Sequence, residues 1–155
     1  MRLNWSETLP GAGSAVREMG KVVRASTLEP ALRELVNIRA SQINGCAHCL
    51  DMHWKDARAM GEDEQRLHLL ATWRESPVYS RRERAALAWT EALTLLPQTG
   101  APDDVYSEVA EAFTPEEQVA LTLAIAMINT YNRMAVGFRS PVGDYVSQRA
   151  PAASR

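Results

Sequence analysis

Two cysteines and two histidines crowd into the segment Cys46-Ala47-His48-Cys49-Leu50-Asp51-Met52-His53. The 155-residue chain has no other cysteine. A structural disulfide stabilises by closing a long loop, and a pair three residues apart closes almost none. The spacing therefore points to redox or metal chemistry. A thiol attacks only as the thiolate, and an ordinary cysteine is mostly protonated at neutral pH. A helix N-terminus lowers a thiol pKa, and a nearby imidazole accepts its proton. A carboxylate orients that imidazole and balances its charge. Once one sulfur is oxidised to a sulfenic acid, the second thiol condenses with it to a disulfide. An external dithiol then reduces that disulfide by exchange.

Helices must position these groups. If CAHCLDMHWKDARAM is one helix, about 100° per residue puts Cys46, Cys49 and His53 on one face, with Cys49 and His53 an i, i+4 pair. Upstream, Pro30 opens ALRELVNIRASQIN and Gly45 breaks it. If the two helices fold back as a hairpin, Glu34, eleven residues before Gly45, lies opposite His53, eight after it. The offset is roughly 16 Å against roughly 12 Å at 1.5 Å per residue, which two long side chains close. Glu34, Ile38 and Ser41 share a face, so Glu34 can point inward.

The rest of the chain also reads as helix. Ser80-Arg81-Arg82-Glu83 and Thr114-Pro115-Glu116-Glu117 are capping boxes. The first opens RAALAWTEALTLL, which Pro97 and Gly100 end. The second opens VALTLAIAMINTYNRM, apolar on nearly all sides and expected at the centre of the fold. Pro102-Asp103-Asp104 opens a helix through Phe113, Gly61 is a C-cap, and Ser14 to Arg24 and Asp63 to Trp73 are further helices. No alternating β pattern occurs. The expectation is an all-α, single-domain bundle of six to seven helices over residues 1–155 with a CxxC-bearing hairpin. Residues 150–155 are expected to be loose.

Bulk properties exclude some classes. A net charge of -2 leaves no excess of Lys and Arg to neutralise phosphates, so no nucleic-acid partner is expected. The longest apolar stretch, Val119 to Ile128, is about half the ~20 residues of a membrane span, and the N-terminus lacks a signal-peptide core. A cytoplasmic protein without a membrane partner is expected.

Plainer readings exist for each group. Two cysteines on a helix can be small core residues, and a single Glu on an amphipathic helix is usually solvated. His48 either relays protons or faces solvent. His68 reads as structural or exposed, Asp51 and Trp54 as helix surface and packing, and Arg81, Arg82 and Arg84 as a solvated face. Ile43, Leu50, Met52 and Trp54 would suit an organic peroxide or form core. Cys46, Cys49, His53 and Glu34 are also plausible zinc ligands. Structural zinc, however, draws on two separated short-spaced pairs rather than three residues of one helix, so no metal and no cofactor is expected.

The pattern Glu34, eleven residues, Cys46, two residues, Cys49, three residues, His53 resembles the alkylhydroperoxidase D core of the carboxymuconolactone decarboxylase family. ELVNIRASQINGCAHCLDMHWKDARAMG resembles that core throughout, and INTYNRMAVGF is similar to a segment near the family's C-terminus; together they cover roughly residues 20 to 140. The resemblance implies an all-α fold assembling into trimers or hexamers. It implies peroxidase action on hydrogen peroxide or organic hydroperoxides, with a lipoyl group or thioredoxin-like protein as dithiol reductant. It also implies that Cys49 attacks the peroxide, Cys46 resolves, Glu34 and His53 relay protons, and His48 assists. The helix N-terminus argues differently, favouring Cys46 as the more acidic thiol. Two alternatives stand beside the peroxidase. One is a redox sensor or disulfide exchanger without peroxidase flux. The other is a lactone decarboxylase of the same family, an activity not tied to a CxxC pair.

Overall fold

A computed structural model describes residues 1–149; the tail at 150–155, expected to be loose, lies outside the described residues. The described residues are all-helical. In chain order they form α1 (Trp5–Thr8), α2 (Pro10–Ala25), α3 (Pro30–Ile43), α4 (Ala47–Ala59), α5 (Glu64–Leu69), a 3-10 turn (Leu70–Thr72), α6 (Arg81–Thr94), α7 (Leu96–Thr99), α8 (Asp103–Ala112) and α9 (Pro115–Phe138). The excess over the expected six or seven comes from single turns. α1 and α7 are four residues each, and Pro97, expected only to end α6, sits in the first turn of α7.

Both capping boxes form. The Ser80 and Thr114 hydroxyls accept from the amides of Glu83 and Glu117, whose carboxylates return to the cap amides. The α3–α4 turn is as compact as the hairpin requires. Gly45 takes a left-handed φ of 63°, and the Cys46 amide reaches back to the Ser41 carbonyl at 2.9 Å, closing α3 in a Schellman turn. Cys46 then serves as the N-cap of α4, so one residue ends the first helix's closure and begins the second.

The helix at the centre is α3, not α9. Leu32 and Val36 of α3 pack in a cluster with Trp89, Phe113, Leu121 and Ile125. Leu35 and Ile38 pack in another with Leu67, Leu70, Trp73, Tyr79 and Leu87. Its remaining face carries Glu34, Asn37 and Ser41, also buried. The pattern disguised this because α3 also carries Arg33 and Arg39, which are only half-buried; Arg39 reaches Glu91 at 2.8 Å. α9 buries one stripe, including Leu121, Ile125, Ile128, Asn132 and Ala135, and leaves Val119 at 69% and Val136 at 40% exposure. By length and composition α9 could cross a bilayer. Its apolar stripe is instead occupied by α2, α3, α4 and α6, against which it packs.

Of the three arginines expected on a solvated face, Arg81 is exposed, whereas Arg82 and Arg84 are half-buried. Arg82 bridges Glu29 and Glu117 over the Phe113 ring, and Arg84 donates to the carbonyls of Trp73, Arg74 and Ser76. Both side chains tie loops to α6.

After α9 the chain turns at Arg139 in a left-handed conformation and returns along α4. Lys55 donates to the carbonyls of Gly143 and Tyr145, each at 3.0 Å. The Tyr145 and Ser147 hydroxyls donate to Asp56 at 2.8 and 2.6 Å, and Arg149 meets its other oxygen at 3.4 Å.

Candidate active site

The hairpin brings Glu34 and His53 together. The His53 Nδ1 donates to Glu34 Oε2 at 2.7 Å. Glu34 is 4% exposed, so this carboxylate is not the solvated Glu of the plainer reading. Asn37 donates to the same oxygen at 3.5 Å, and Arg149 lies 3.5 Å from Oε1. With Nδ1 committed to Glu34, the other ring nitrogen is the one left for proton transfer.

Both cysteines are free thiols and nearly inaccessible, at 2% and 1% exposure. They differ in outlook. Cys49, Glu34, His48, Met52 and His53 line a cavity of about 300 Å³, and Cys46 does not. The helical wheel that placed Cys46 on the shared face fails at one point, because Cys46 is the N-cap, with φ -89° and ψ 90°. Among the described residues His53 makes no hydrogen bond to either sulfur. His48 donates to the Pro141 carbonyl, so it is tied to the returning tail as well as facing the cavity. Of the apolar neighbours considered for a peroxide, Met52 reaches the cavity; Ile43, Leu50 and Trp54 do not.

The dithiol is electrostatically uneven. The hydrogen bond from the Cys49 thiol, joined by the Cys49 amide, Asn132 and the charge of His48, outweighs burial and lowers the Cys46 thiol to about 6. Cys49 is pushed upward, because it donates that bond, is buried, and faces the Cys46 charge. The pair therefore loses its first proton at Cys46 and keeps the second between the sulfurs. Thiolate absorbance of the reduced protein is expected to rise with a midpoint near 6, against about 8.5 for an ordinary thiol. Cys49→Ala, which removes the largest contribution, is expected to move the midpoint upward. A wild-type midpoint at the ordinary value would contradict this arrangement.

Two residues at the site escaped sequence reasoning. Asn132 stands by both sulfurs and lowers both, with its amide also donating to Ser41 at 3.0 Å and its oxygen accepting from Asn44 at 2.9 Å. Its signal was a polar residue on the stripe of Ile125, Ile128 and Ala135, where burial demands partners. Asp56 is 4% exposed and collects Tyr145, Ser147 and Arg149. No local pattern pairs it with residues some ninety positions away.

The zinc set considered above, Cys46, Cys49, His53 and Glu34, is not brought within ligand distance among the described residues. Donor atoms of Glu34, His53 and Asp56 do lie within 4.8 Å of one another. The guanidinium of Arg149 already supplies a cation to both of those carboxylates.

Residues 10–92 match the carboxymuconolactone decarboxylase family. The chain is 42% identical over 135 residues to the uncharacterized protein YdfG of Bacillus subtilis (strain 168), covering 87% of this chain and 92% of YdfG. It superposes with a TM-score of 0.89 and 46% identity on the crystal structure of ATU0492 from Agrobacterium tumefaciens, a protein of unknown function and a candidate antioxidant defence protein AhpD. That match covers 93% of this chain and 99% of the other. The debrominase Bmp8 superposes with a TM-score of 0.79 at 20% identity, over 89% of this chain and 74% of Bmp8, which is a likeness of fold alone. With the matched segment spanning the whole Glu34-to-His53 hairpin, this chain belongs to the carboxymuconolactone decarboxylase family.

Proposed function

We propose that the protein is a dithiol-dependent hydroperoxidase, reducing a hydroperoxide through Cys49 and Cys46. The observation that carries this reading is a cavity whose wall holds one sulfur, Cys49, beside a His53 fixed by a buried Glu34 at 2.7 Å. A second, acidic sulfur stands directly behind it.

The cycle balances with these groups alone. The cycle starts from a Cys46 thiolate, a Cys49 thiol and one transferable proton on His53, which is held by Glu34. Cys49 passes its proton to Cys46, which already accepts it as a hydrogen bond. The Cys49 sulfur attacks the distal oxygen of ROOH, the O–O bond breaks, and His53 protonates the departing alkoxide to ROH. The Cys46 thiol then attacks the Cys49 sulfenic acid, forming the disulfide and releasing water. An external dithiol, a lipoyl group or thioredoxin-like protein, donates two electrons and two protons. It leaves as a disulfide and restores the resting pair. A reducing, cytoplasmic setting fits a site that works as a free dithiol. Exposed valines on α2 and α9, Val22 at 61% and Val119 at 69%, support association into a trimer or hexamer.

The test is peroxide consumption by reduced protein supplied with dihydrolipoamide or dithiothreitol. Multiple turnovers that disappear when both cysteines are alkylated are expected. No turnover from fully reduced protein would overturn the proposal.

A further inference from the structure

We propose that the cavity is built for an organic hydroperoxide that also carries a carboxylate, bound by Arg17, Arg24 and Arg33. This rests on the hydroperoxidase reading and names its substrate class.

The cavity is markedly basic for a chain of net charge -2: four guanidiniums, those of Arg17, Arg24, Arg33 and Arg149, line it. Arg149 is engaged by Glu34 and Asp56. The other three have no carboxylate partner among the described residues, whereas Arg39, Arg66, Arg74, Arg81 and Arg82 each have at least one. Arg17 gives one bond to the Ser14 hydroxyl at 3.1 Å, and Arg33 one to the Val23 carbonyl at 3.0 Å. Each guanidinium has five N–H donors, so most remain unused. Burial holds Arg33 below its ordinary pKa; Glu34 acts against this, and the charges of Arg149 and Arg24 add to it. Like charges crowded in this way favour an anion.

The arrangement is written into α2. Gly13 and Gly20 precede Arg17 and Arg24 by four residues each, and the two pairs are seven apart, on one face. A Cβ at Gly13 would lie 3.0 Å from the Arg17 Nη1; one at Gly20 would lie 3.0 Å from the Arg24 Nη1 and 3.3 Å from the Met127 sulfur. The glycines leave room for both exposed guanidiniums to lie against the helix beside the cavity. An interior glycine is a poorer helix former than alanine, so neither is there for the helix's own sake. Both arginines also act on the Tyr131 hydroxyl in the cavity wall, opposing the upward push of burial.

The same cavity wall carries the apolar side chains Val23, Met127 and Ile128 beside the arginines and Cys49. A ligand with a carboxylate, an apolar body and a hydroperoxide matches that set of wall groups. A neutral hydroperoxide leaves the guanidiniums unused. Carboxylate–guanidinium pairs are the strong, often bidentate case of charge-assisted hydrogen bonding.

The test compares para-carboxycumyl alcohol with cumyl alcohol, unreactive products that differ only by the carboxylate, by calorimetry on reduced protein. The carboxylated alcohol is expected to bind at least about tenfold more tightly, from one or two charge-assisted bonds. Arg17→Gln/Arg24→Gln is expected to bring that preference to within about twofold. These two side chains are at the surface, so the fold does not depend on them. Equal binding of the two alcohols to the wild type, or a preference that survives the double substitution, would overturn the proposal. The matching hydroperoxides separate it from the reading it rests on. Binding through the arginines without turnover of either hydroperoxide removes the peroxidase and leaves the anion site. Turnover of both with equal kcat/KM removes the anion site and leaves the peroxidase.

Discussion

Cys49→Ser is expected to lose peroxide turnover by at least about a thousandfold, because the nucleophile itself is removed. Cys46→Ser is expected to lose turnover to the same extent and yet to react once. In that variant the cavity-facing Cys49 remains. Its sulfenic acid has no thiol partner and accumulates. Serine at position 46 still offers an oxygen to the Cys49 amide, so the α4 cap survives and the difference reports chemistry rather than unfolding. Trapping with dimedone and mass spectrometry checks this. One adduct per chain is expected in Cys46→Ser and none in Cys49→Ser. The reverse pattern would assign attack to Cys46 and would mean that its acidity outweighs the cavity position of Cys49. In the proposed cycle the first proton leaves from one sulfur and attack occurs at the other, and a proton passed along the bond between them reconciles the two.

Leu35→Ala is expected to destabilise the protein by about 3 kcal/mol, the middle of the range for a buried leucine truncated in a tight core. Leu35 is 0% exposed and packs in the cluster formed by Ile38, Leu67, Leu70, Trp73, Tyr79 and Leu87. In a chain of this length that loss lowers the melting temperature by about 6–12 °C. A thermal melt checks it, and a loss below about 1 kcal/mol would mean that neighbours refill the space and that α3 is not the strut of the fold. Because Leu35 follows Glu34 on α3 but faces the other way, the thiolate titration of the variant should stay at its wild-type midpoint.

The helical hairpin was legible because its signals are local. Pro30, Gly45 and Gly61 punctuate the chain, and the spacing from Glu34 to His53 is a matter of rise per residue. The His53–Glu34 hydrogen bond at 2.7 Å follows from that arithmetic. Cys46 was misplaced by one turn of reasoning: a helix wheel extends a pattern through residues that the Schellman turn at Gly45 takes out of the helix. α9 was misjudged for a different reason. An all-round apolar sequence requires burial only where a neighbour exists, and hydropathy does not say how many neighbours there are. Asn132, Asp56 and Arg149 depend on contacts across roughly ninety residues, set by packing of α9 and the returning tail, and no spacing rule reaches that far.

The bonds that hold Cys46 as a thiolate also set the tendency of the couple to accept electrons. Stabilising the thiolate stabilises the reduced dithiol and not the disulfide, which has no charge to hold. A thiol at about 6 instead of its ordinary value favours the reduced form at pH 7 by about 1.4 kcal/mol, equivalent to about 30 mV for a two-electron couple. The contribution vanishes below about pH 6 and grows until an ordinary thiol would itself ionise. Closing the disulfide also takes the sulfur acceptor from the first turn of α4, which weakens the oxidised state further. The reduction potential is thereby raised, which in the proposed cycle makes the Cys46–Cys49 disulfide easier for an external dithiol to reduce.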